Sequence, residues 1–205
     1  MFDLTNIYKI TKQIDKQFAM HYGNNEGIVK KNRLELLVEL GELANETRCF
    51  KYWSIKQTGE KEKVLEEYID CLFMVLYFSN ITDVSLDEEF PTSLNGDVID
   101  TFLSLNKYAS DISKVPKKDE IKRVLVELVH LAEILDFTIE DLERVTLIKK
   151  KIIEDRFHTV YYGILTNKEM STYVEFFEKV KEYIYANREN KRIFAIYSLL
   201  LDNDC

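Results

Sequence analysis

Apolar residues recur three or four positions apart along most of the chain, which is the spacing of one face of an α-helix. This spacing predicts helices at residues 4–22, 28–51, 60–80, 98–113, 118–136, 139–162, 168–186 and 189–201. No segment alternates apolar and polar residues in the way that a half-buried strand does. The pattern therefore predicts an all-α protein.

Turn-forming residues mark the ends of these helices. The chain has only 6 Gly and 2 Pro, so long uninterrupted helices are expected. The clearest irregular stretch is 79–97, which contains Pro91 and an Asn-Gly pair. Thr138 is followed by acidic residues, and this order predicts that it caps the helix beginning at 139.

The composition is that of a globular protein with one large domain, or with one domain and an appendage. The 205 residues are 46% hydrophobic and 31% charged, enough for a sizeable core. The formal net charge of −8 disfavours nucleic-acid binding, which depends on clustered Lys and Arg. The chain has three cysteines, and their spacing is not that of metal ligands: Cys49, Cys71 and Cys205. We therefore expect them to be reduced thiols. The N-terminus has no signal-peptide pattern, and the longest apolar run, 71–78, is too short to span a membrane. We therefore expect a cytoplasmic protein without membrane contact.

A narrow acidic stripe runs along the second predicted helix. Steps of four, three and four residues place these acids on one face: Glu35, Glu39, Glu42 and Glu46. Like charges at this spacing oppose one another by roughly 0.2–0.5 kcal/mol per pair. Gly41 lies in the same helix, where it costs about 1 kcal/mol relative to Ala. A glycine at this position indicates one of two things. Either a ligand or a neighbouring backbone comes close to the helix there, or two helices pack tightly.

The third predicted helix repeats this arrangement with Glu67 and Asp70, which share a face at the edge of an apolar segment. The two helices are expected to be antiparallel neighbours, so four carboxylates can converge: Glu39, Glu42, Glu67 and Asp70. Carboxylates among apolar residues are costly unless a cation joins them. Mg²⁺ is the expected cation because it takes oxygen ligands, and such a site would hold phosphates. The alternative is that each pair is an ordinary solvated acidic face.

The loop between these helices carries cations and aromatic residues. Lys51 and Lys56 are candidates for neutralising phosphate charge, and Trp53 is a candidate wall for a base or sugar. The alternative is a solvated loop in which Trp53 fills the core. Further along, Glu127 and His130 have the spacing used in di-iron bundles, but such a site needs a second motif of this kind. We therefore expect His130 to be a packed or surface histidine.

Residues 36–53, LLVELGELANETRCFKYW, followed by LEEYID at 65–70, closely resemble the all-α, dimeric-type dUTP pyrophosphatases (dUTPases) of the MazG-like nucleotide pyrophosphohydrolases. The resemblance implies a four-helix core and a homodimer. We expect the catalytic domain at residues 1–163. Residues 164–205 have no counterpart in the family, and their periodicity predicts additional C-terminal helices that extend the same domain.

The resemblance also implies the chemistry. Mg²⁺ would be held by the four carboxylates named above, and a metal-activated water would attack the α-phosphate of dUTP, giving dUMP and pyrophosphate. Glu39 is the expected base that orients the water, with assistance from Glu46. The matching positions imply further substrate contacts, which would add to those of the loop candidates Lys51, Trp53 and Lys56: Asp15, Lys149, Arg156 and Tyr161.

Several positions around the nucleoside depart from the family pattern. Thr11 stands where the family has Gln, and Phe73 and Met74 stand where it has His-Phe. In the late helix, Lys150 and Ile153 replace two asparagines. The expected metal site is intact while the nucleoside contacts are altered. A related pyrophosphohydrolase with another base preference and a non-catalytic helical nucleotide-binding or interaction protein are therefore the alternative functions.

Overall fold

A computed structural model describes residues 3–23, 27–56, 59–86 and 96–161, together with the side chains of all these residues except 21, 22 and 157–161. The described residues form six helices and no strand: α1 (Thr5–Tyr22), α2 (Ile28–Thr47), α3 (Lys61–Thr82), α4 (Val98–Asp111), α5 (Lys118–Ile134) and α6 (Ile139–Tyr161). The prediction of an all-α protein is confirmed. The two helices predicted at 168–186 and 189–201 lie outside the described residues.

Helix α3 is the centre of the core, because it packs against α1, α2 and α5, while α4 packs against α2 and α5. Its apolar run at 71–78 is buried except for Met74 and Tyr77, which are half-buried. Leu72 and Leu76 are fully enclosed. Burying a leucine side chain contributes about 1.5–3 kcal/mol, so this run supplies much of the free energy that holds the bundle together.

Helix α2 ends at Thr47, and the prediction that it continues to residue 51 is wrong. Arg48 has the left-handed backbone conformation, with φ of 63°, and its N–H donates to the Ala44 carbonyl at 3.2 Å. This geometry turns the chain out of the helix. The Arg48 guanidinium then donates to the Lys56 carbonyl at 2.9 Å and to the Ser54 hydroxyl, which closes the loop that follows.

A close backbone approach sets the register of α2 against α3. A β-carbon at Gly59, just before α3, would overlap the carbonyl oxygen of Glu46 in the last turn of α2. Only glycine allows the chain to pass this closely. The approach brings the C-terminal end of α2 beside the N-terminal end of α3, so the two helices form a tight antiparallel hairpin.

Polar contacts tie the remaining helices to this hairpin. The Tyr68 hydroxyl on α3 donates to the Leu128 carbonyl on α5 at 3.0 Å. The Arg144 guanidinium on α6 makes two hydrogen bonds to the Glu62 carboxylate on α3, at 2.9 and 3.1 Å. Thr138 accepts a hydrogen bond from the N–H of Asp141 at 3.1 Å, so its predicted role as the cap of α6 is confirmed.

The chain divides into two compact units, Met1–Leu147 and Ile148–Cys205. Of the second unit, the structure describes residues 148–161, and the expected C-terminal extension at 164–205 lies outside them. Among the described helices, none combines the length and the apolar character needed to cross a membrane.

Candidate metal centre

The α2–α3 hairpin brings three of the predicted acids to one point. Glu39 from α2 and Glu67 and Asp70 from α3 each offer a carboxylate oxygen, and these oxygens lie within 4.8 Å of one another. This is the one group of three or more potential metal ligands in the described part of the chain. All three residues are half-buried, so the group lies between the core and the solvent. We refer to these three residues as the acidic cluster.

The electrostatics of the acidic cluster are unfavourable without a cation. The pKa of Glu39 is raised to about 7, first by burial and then by the charge of Asp70, with smaller contributions from Glu42, Glu67 and Glu35. Burial followed by the Asp70 charge also raises the pKa of Glu35. A carboxylate that holds its proton near neutral pH lies in a field of excess negative charge.

The donor set fits a hard divalent cation. The acidic cluster offers oxygen ligands only, and Mg²⁺ takes carboxylate oxygens while keeping positions for water and phosphate. The neighbouring Cys71 thiol does not compete as a ligand, because burial and the charges of the acidic cluster raise its pKa well above its usual value. A bound cation would offset the burial and the repulsion between carboxylates that raise the pKa of Glu39.

Glu42 lies outside the group of three. It is exposed on α2, one turn beyond Glu39, and its negative charge is one of those that raise the pKa of Glu39. Its role as a fourth ligand therefore stays a prediction. Glu46, a further turn along α2, is half-buried, and its carbonyl meets Gly59 at the close approach described above.

The two lysines of the α2–α3 loop are engaged with nearby groups. The Lys51 ammonium donates to the Asn45 carbonyl at 3.0 Å, near the C-terminal end of α2. The Lys56 ammonium pairs with Glu60 at 3.2 Å, and both of these side chains are exposed. An exposed pair of this kind contributes little to stability and is easily exchanged for a phosphate. The proposed contacts of these lysines with phosphate stay predictions.

Trp53 is on the surface, with 64% of its area exposed. Its ring lies in edge-to-face contact with the rings of Phe50 and Tyr52, at centroid distances of 6.0 and 5.1 Å. The alternative in which Trp53 fills the core is therefore wrong. An exposed indole supported by two aromatic neighbours is available to a base or sugar.

Asp15 lies on α1 and faces α3. Its half-buried carboxylate accepts a hydrogen bond from the Asn80 side-chain amide at 3.1 Å, and burial raises its pKa to about 6. Sequence reasoning missed Asn80, and no motif surrounds it. Thr11 is buried, and its hydroxyl donates to the Ile7 carbonyl at 3.0 Å.

Lys149 and Arg156 belong to the second compact unit. They lie seven residues apart on α6, which places them on one face of that helix. The Tyr161 side chain lies outside the described part of the structure. His130 is buried on α5, with its Nδ1 at 3.9 Å from Glu133, as expected for a packed histidine.

The Gly41 position is open. No described atom lies within 4 Å of the place that a β-carbon would occupy, so packing between helices of the described chain does not explain this glycine. The functional and the packing interpretations of Gly41 both stay predictions.

Comparison with known protein families gives one match of large extent. A family model described as dUTPase matches residues 3–161, which include the acidic cluster and all six described helices. A search of curated proteins found no match to the chain.

Proposed function

The chain belongs to the dUTPase family, and from this premise we propose that it is a Mg²⁺-dependent enzyme that hydrolyses dUTP to dUMP and pyrophosphate. The family implies a dUTP diphosphatase, so the chain is a hydrolase. The observation that carries the proposal is the convergence of Glu39, Glu67 and Asp70 on one point of the α2–α3 hairpin. Three carboxylates held this closely are suited to a cation that in turn binds a polyphosphate.

Glu39, Glu67 and Asp70 would hold Mg²⁺, with Glu42 at the exposed edge of the site as a further ligand. When bound, the ion neutralises phosphate charge and lowers the pKa of water. The chain contributes the positioning, because each carboxylate is held on a helix of the core. Ligands on rigid helices need little rearrangement when charge develops in the transition state.

Glu39 is the proposed general base. Its carboxylate belongs to the acidic cluster, beside the position that the ion and its water would occupy. A carboxylate within reach of such a water can accept its proton. Glu39 orients the attacking water and takes its proton, the oxygen forms a bond to the α-phosphorus, and the bond from that phosphorus to the bridging oxygen breaks. Glu46, on the same helix, would assist.

The loop and α6 would supply the substrate contacts. Lys51 and Lys56 would meet the phosphates, and the exposed Trp53 would form a wall beside the base or sugar. The family pattern also gives substrate roles to Lys149, Arg156 and Tyr161. We propose the loop contacts from the chemistry of the residues and the α6 contacts from the family pattern. The domain boundary at residue 163 is likewise a proposal.

A homodimer is the proposed assembly. Leu34 and Val38 are exposed on α2, and Leu103 is exposed on α4, which packs beside α2. The Arg33 guanidinium donates to the Ser110 carbonyl at 3.2 Å, so these helices are joined at one end. The open position at Gly41 lies on the same helix and would let a second copy approach closely. Light scattering of the purified protein should give twice the mass of one chain, and Val38→Asp should reduce it to one.

A pyrophosphohydrolase with another base preference is the second candidate function. Thr11 stands at an expected base-contacting position, but its hydroxyl donates to the Ile7 carbonyl of its own helix. This hydrogen bond is the observation that favours another base preference. A non-catalytic nucleotide-binding or interaction protein on the same scaffold is the third.

Pyrophosphate release from a panel of deoxynucleoside and ribonucleoside triphosphates separates these functions. The proposal expects rapid release from dUTP with Mg²⁺ and none with a chelator. Glu39→Gln should abolish turnover, while Glu140→Gln, an exposed acid in the first turn of α6, should not. Equal release from all nucleotides would refute the preference for dUTP. No release from any nucleotide would refute the enzyme assignment.

A further inference from the structure

The loop between α2 and α3 exposes four large apolar side chains to solvent: Phe50, Tyr52, Trp53 and Ile55. Exposed side chains of this size retain rotamer freedom, which a ligand must restrict when it binds. The ring of Trp53 is nevertheless in edge-to-face contact with the rings of Phe50 and Tyr52. The backbone of the loop therefore has to keep these three rings together.

Two consecutive turns set the course of this backbone. The N–H of Lys51 donates to the carbonyl of Arg48 at 2.9 Å, and the N–H of Ser54 donates to the carbonyl of Lys51 at 2.9 Å. Trp53 is the third residue of the second turn and directly precedes Ser54. A surface turn has few contacts of its own, so the position of Trp53 depends on what holds Ser54.

The side chain of Arg48 holds the end of the second turn. Its guanidinium donates through one nitrogen to the Ser54 hydroxyl and through another to the Lys56 carbonyl, the latter at 2.9 Å. The Ser54 hydroxyl donates to the same Lys56 carbonyl at 2.9 Å, so the three groups form a closed hydrogen-bonded triangle. A planar guanidinium is suited to two acceptors at once, and its charge strengthens both bonds. The residue that begins the loop thus also fixes its last part.

The loop lies within reach of a nucleotide bound at the acidic cluster. Glu39 is eight residues before Thr47, the last residue of α2, which is about 12 Å along the helix axis. Glu67 is six residues after Lys61, the first residue of α3, which is about 9 Å. A nucleotide whose phosphates meet a cation at the acidic cluster can therefore place its nucleoside beside the loop.

We propose that Arg48 is a positioning residue of this enzyme, which holds Trp53 in place as a wall for the nucleoside before the nucleotide binds. This inference rests on the proposed function. An indole that is already ordered loses less conformational entropy on binding than one that the nucleotide must order. Arg48 acts through the loop rather than by contact with the substrate.

Arg48→Gly separates the role of the side chain from that of the backbone. Arg48 has φ of 63°, which glycine adopts without strain, so the end of α2 is retained while the guanidinium is removed. Asp83→Gly is the matched control. Asp83 is exposed and has φ of 53° at the end of α3 that lies far from the loop. Both variants should keep the circular dichroism of the wild type.

The fluorescence of Trp53 tests the position of the loop without any nucleotide. Trp53 is the only tryptophan of the chain, so the tryptophan signal reports on this residue alone. In the wild type and in Asp83→Gly, the anisotropy should decay with the tumbling of the whole protein. In Arg48→Gly, a nanosecond component should account for about a third of the decay, because freed surface loops move on this time scale. Equal decays in the wild type and Arg48→Gly would overturn the inference.

A double-mutant cycle tests the link to the substrate. Arg48→Gly and Trp53→Ala should each raise KM for dUTP roughly fivefold. In Arg48→Gly, kcat and the Mg²⁺ requirement should stay at the wild-type values, because the acidic cluster is untouched. Since Arg48 acts through Trp53, the double variant should have the same KM as Trp53→Ala alone. Independent effects, which would multiply to roughly 25-fold, would overturn the inference.

Quenching of the Trp53 fluorescence by dUTP with Mg²⁺ separates this inference from the proposed function. Hydrolysis of dUTP with the same KM in the wild type and Arg48→Gly would overturn the inference and leave the proposed function standing. Quenching without turnover, at a Kd that Arg48→Gly raises roughly fivefold, would support the role of Arg48 and refute the hydrolase proposal. Neither turnover nor quenching would refute both.

Discussion

Glu39→Gln should stabilise the metal-free protein at alkaline pH although it destroys the proposed catalytic site. The pKa of Glu39 is raised from its ordinary 4.5 to about 7 by burial and by neighbouring acids, of which Asp70 contributes most. Because the folded state binds this proton more tightly than the unfolded chain, stability falls as the pH rises from about 4.5 to 7. The penalty is complete above pH 7 and absent below 4.5.

The size of the effect follows from the shift. At about 1.4 kcal/mol per pKa unit, the change corresponds to at most roughly 3.4 kcal/mol. Glu39 is only half-buried, and solvent screening reduces the expected penalty to about 1–2 kcal/mol. Glutamine keeps the shape of the side chain and removes the charge. The variant should therefore unfold at a midpoint several degrees higher at pH 8 and at nearly the same midpoint at pH 4.5.

Thermal and urea unfolding with a chelator at these two pH values measure the difference. Glu140→Gln is the control, because this acid lies in the first turn of α6 and its removal should stabilise nothing. Added Mg²⁺ should reverse the order at pH 8, since a ligand stabilises only the protein that binds it well. If Glu39→Gln is less stable than the wild type at pH 8 in chelator, the repulsion inferred within the acidic cluster is wrong.

Three further results are expected. Arg144→Ala should lower the free energy of unfolding by about 2–4 kcal/mol in urea titrations, because it leaves the largely buried Glu62 carboxylate without its guanidinium partner; a loss below 1 kcal/mol would contradict this. Gly59→Ala should cost about 1–3 kcal/mol through overlap with the α2 backbone, whereas Gly41→Ala should be neutral or stabilising in the same assay, because its β-carbon meets open space. Mg²⁺ binding followed by calorimetry in two buffers should release close to one proton from Glu39 at pH 6 and little at pH 8.5; equal release at both would contradict the raised pKa.

The confirmed predictions of helices and of the acidic cluster rest on local periodicity in the sequence. The helices follow from apolar spacing, which reports on the face each segment buries, and the beginning of α6 follows from the cap at Thr138. The meeting of Glu39 with Glu67 and Asp70 follows from two such helices joined by a short loop. All of these features depend on residues that are close together in the sequence.

The features that sequence reasoning missed depend on contacts between residues far apart or on backbone conformation. Asn80 is an unremarkable amide in an apolar helix until α1 packs beside it and presents Asp15. Arg48 ends α2 through a left-handed conformation that side-chain periodicity does not encode. For Trp53 the sequence left a core and a surface position open, and the fold of the loop decides for the surface.

The α2–α3 hairpin has a consequence for the order in which the site is assembled during folding. All three residues of the acidic cluster come from two helices separated by a short connection, from Arg48 to Glu60. Closing a short loop costs little chain entropy, and contacts of this kind form early. The Asp15–Asn80 pair joins residues 65 positions apart and needs α1 to dock on α3. A folding chain would thus bring the acidic cluster together before α1 docks on α3.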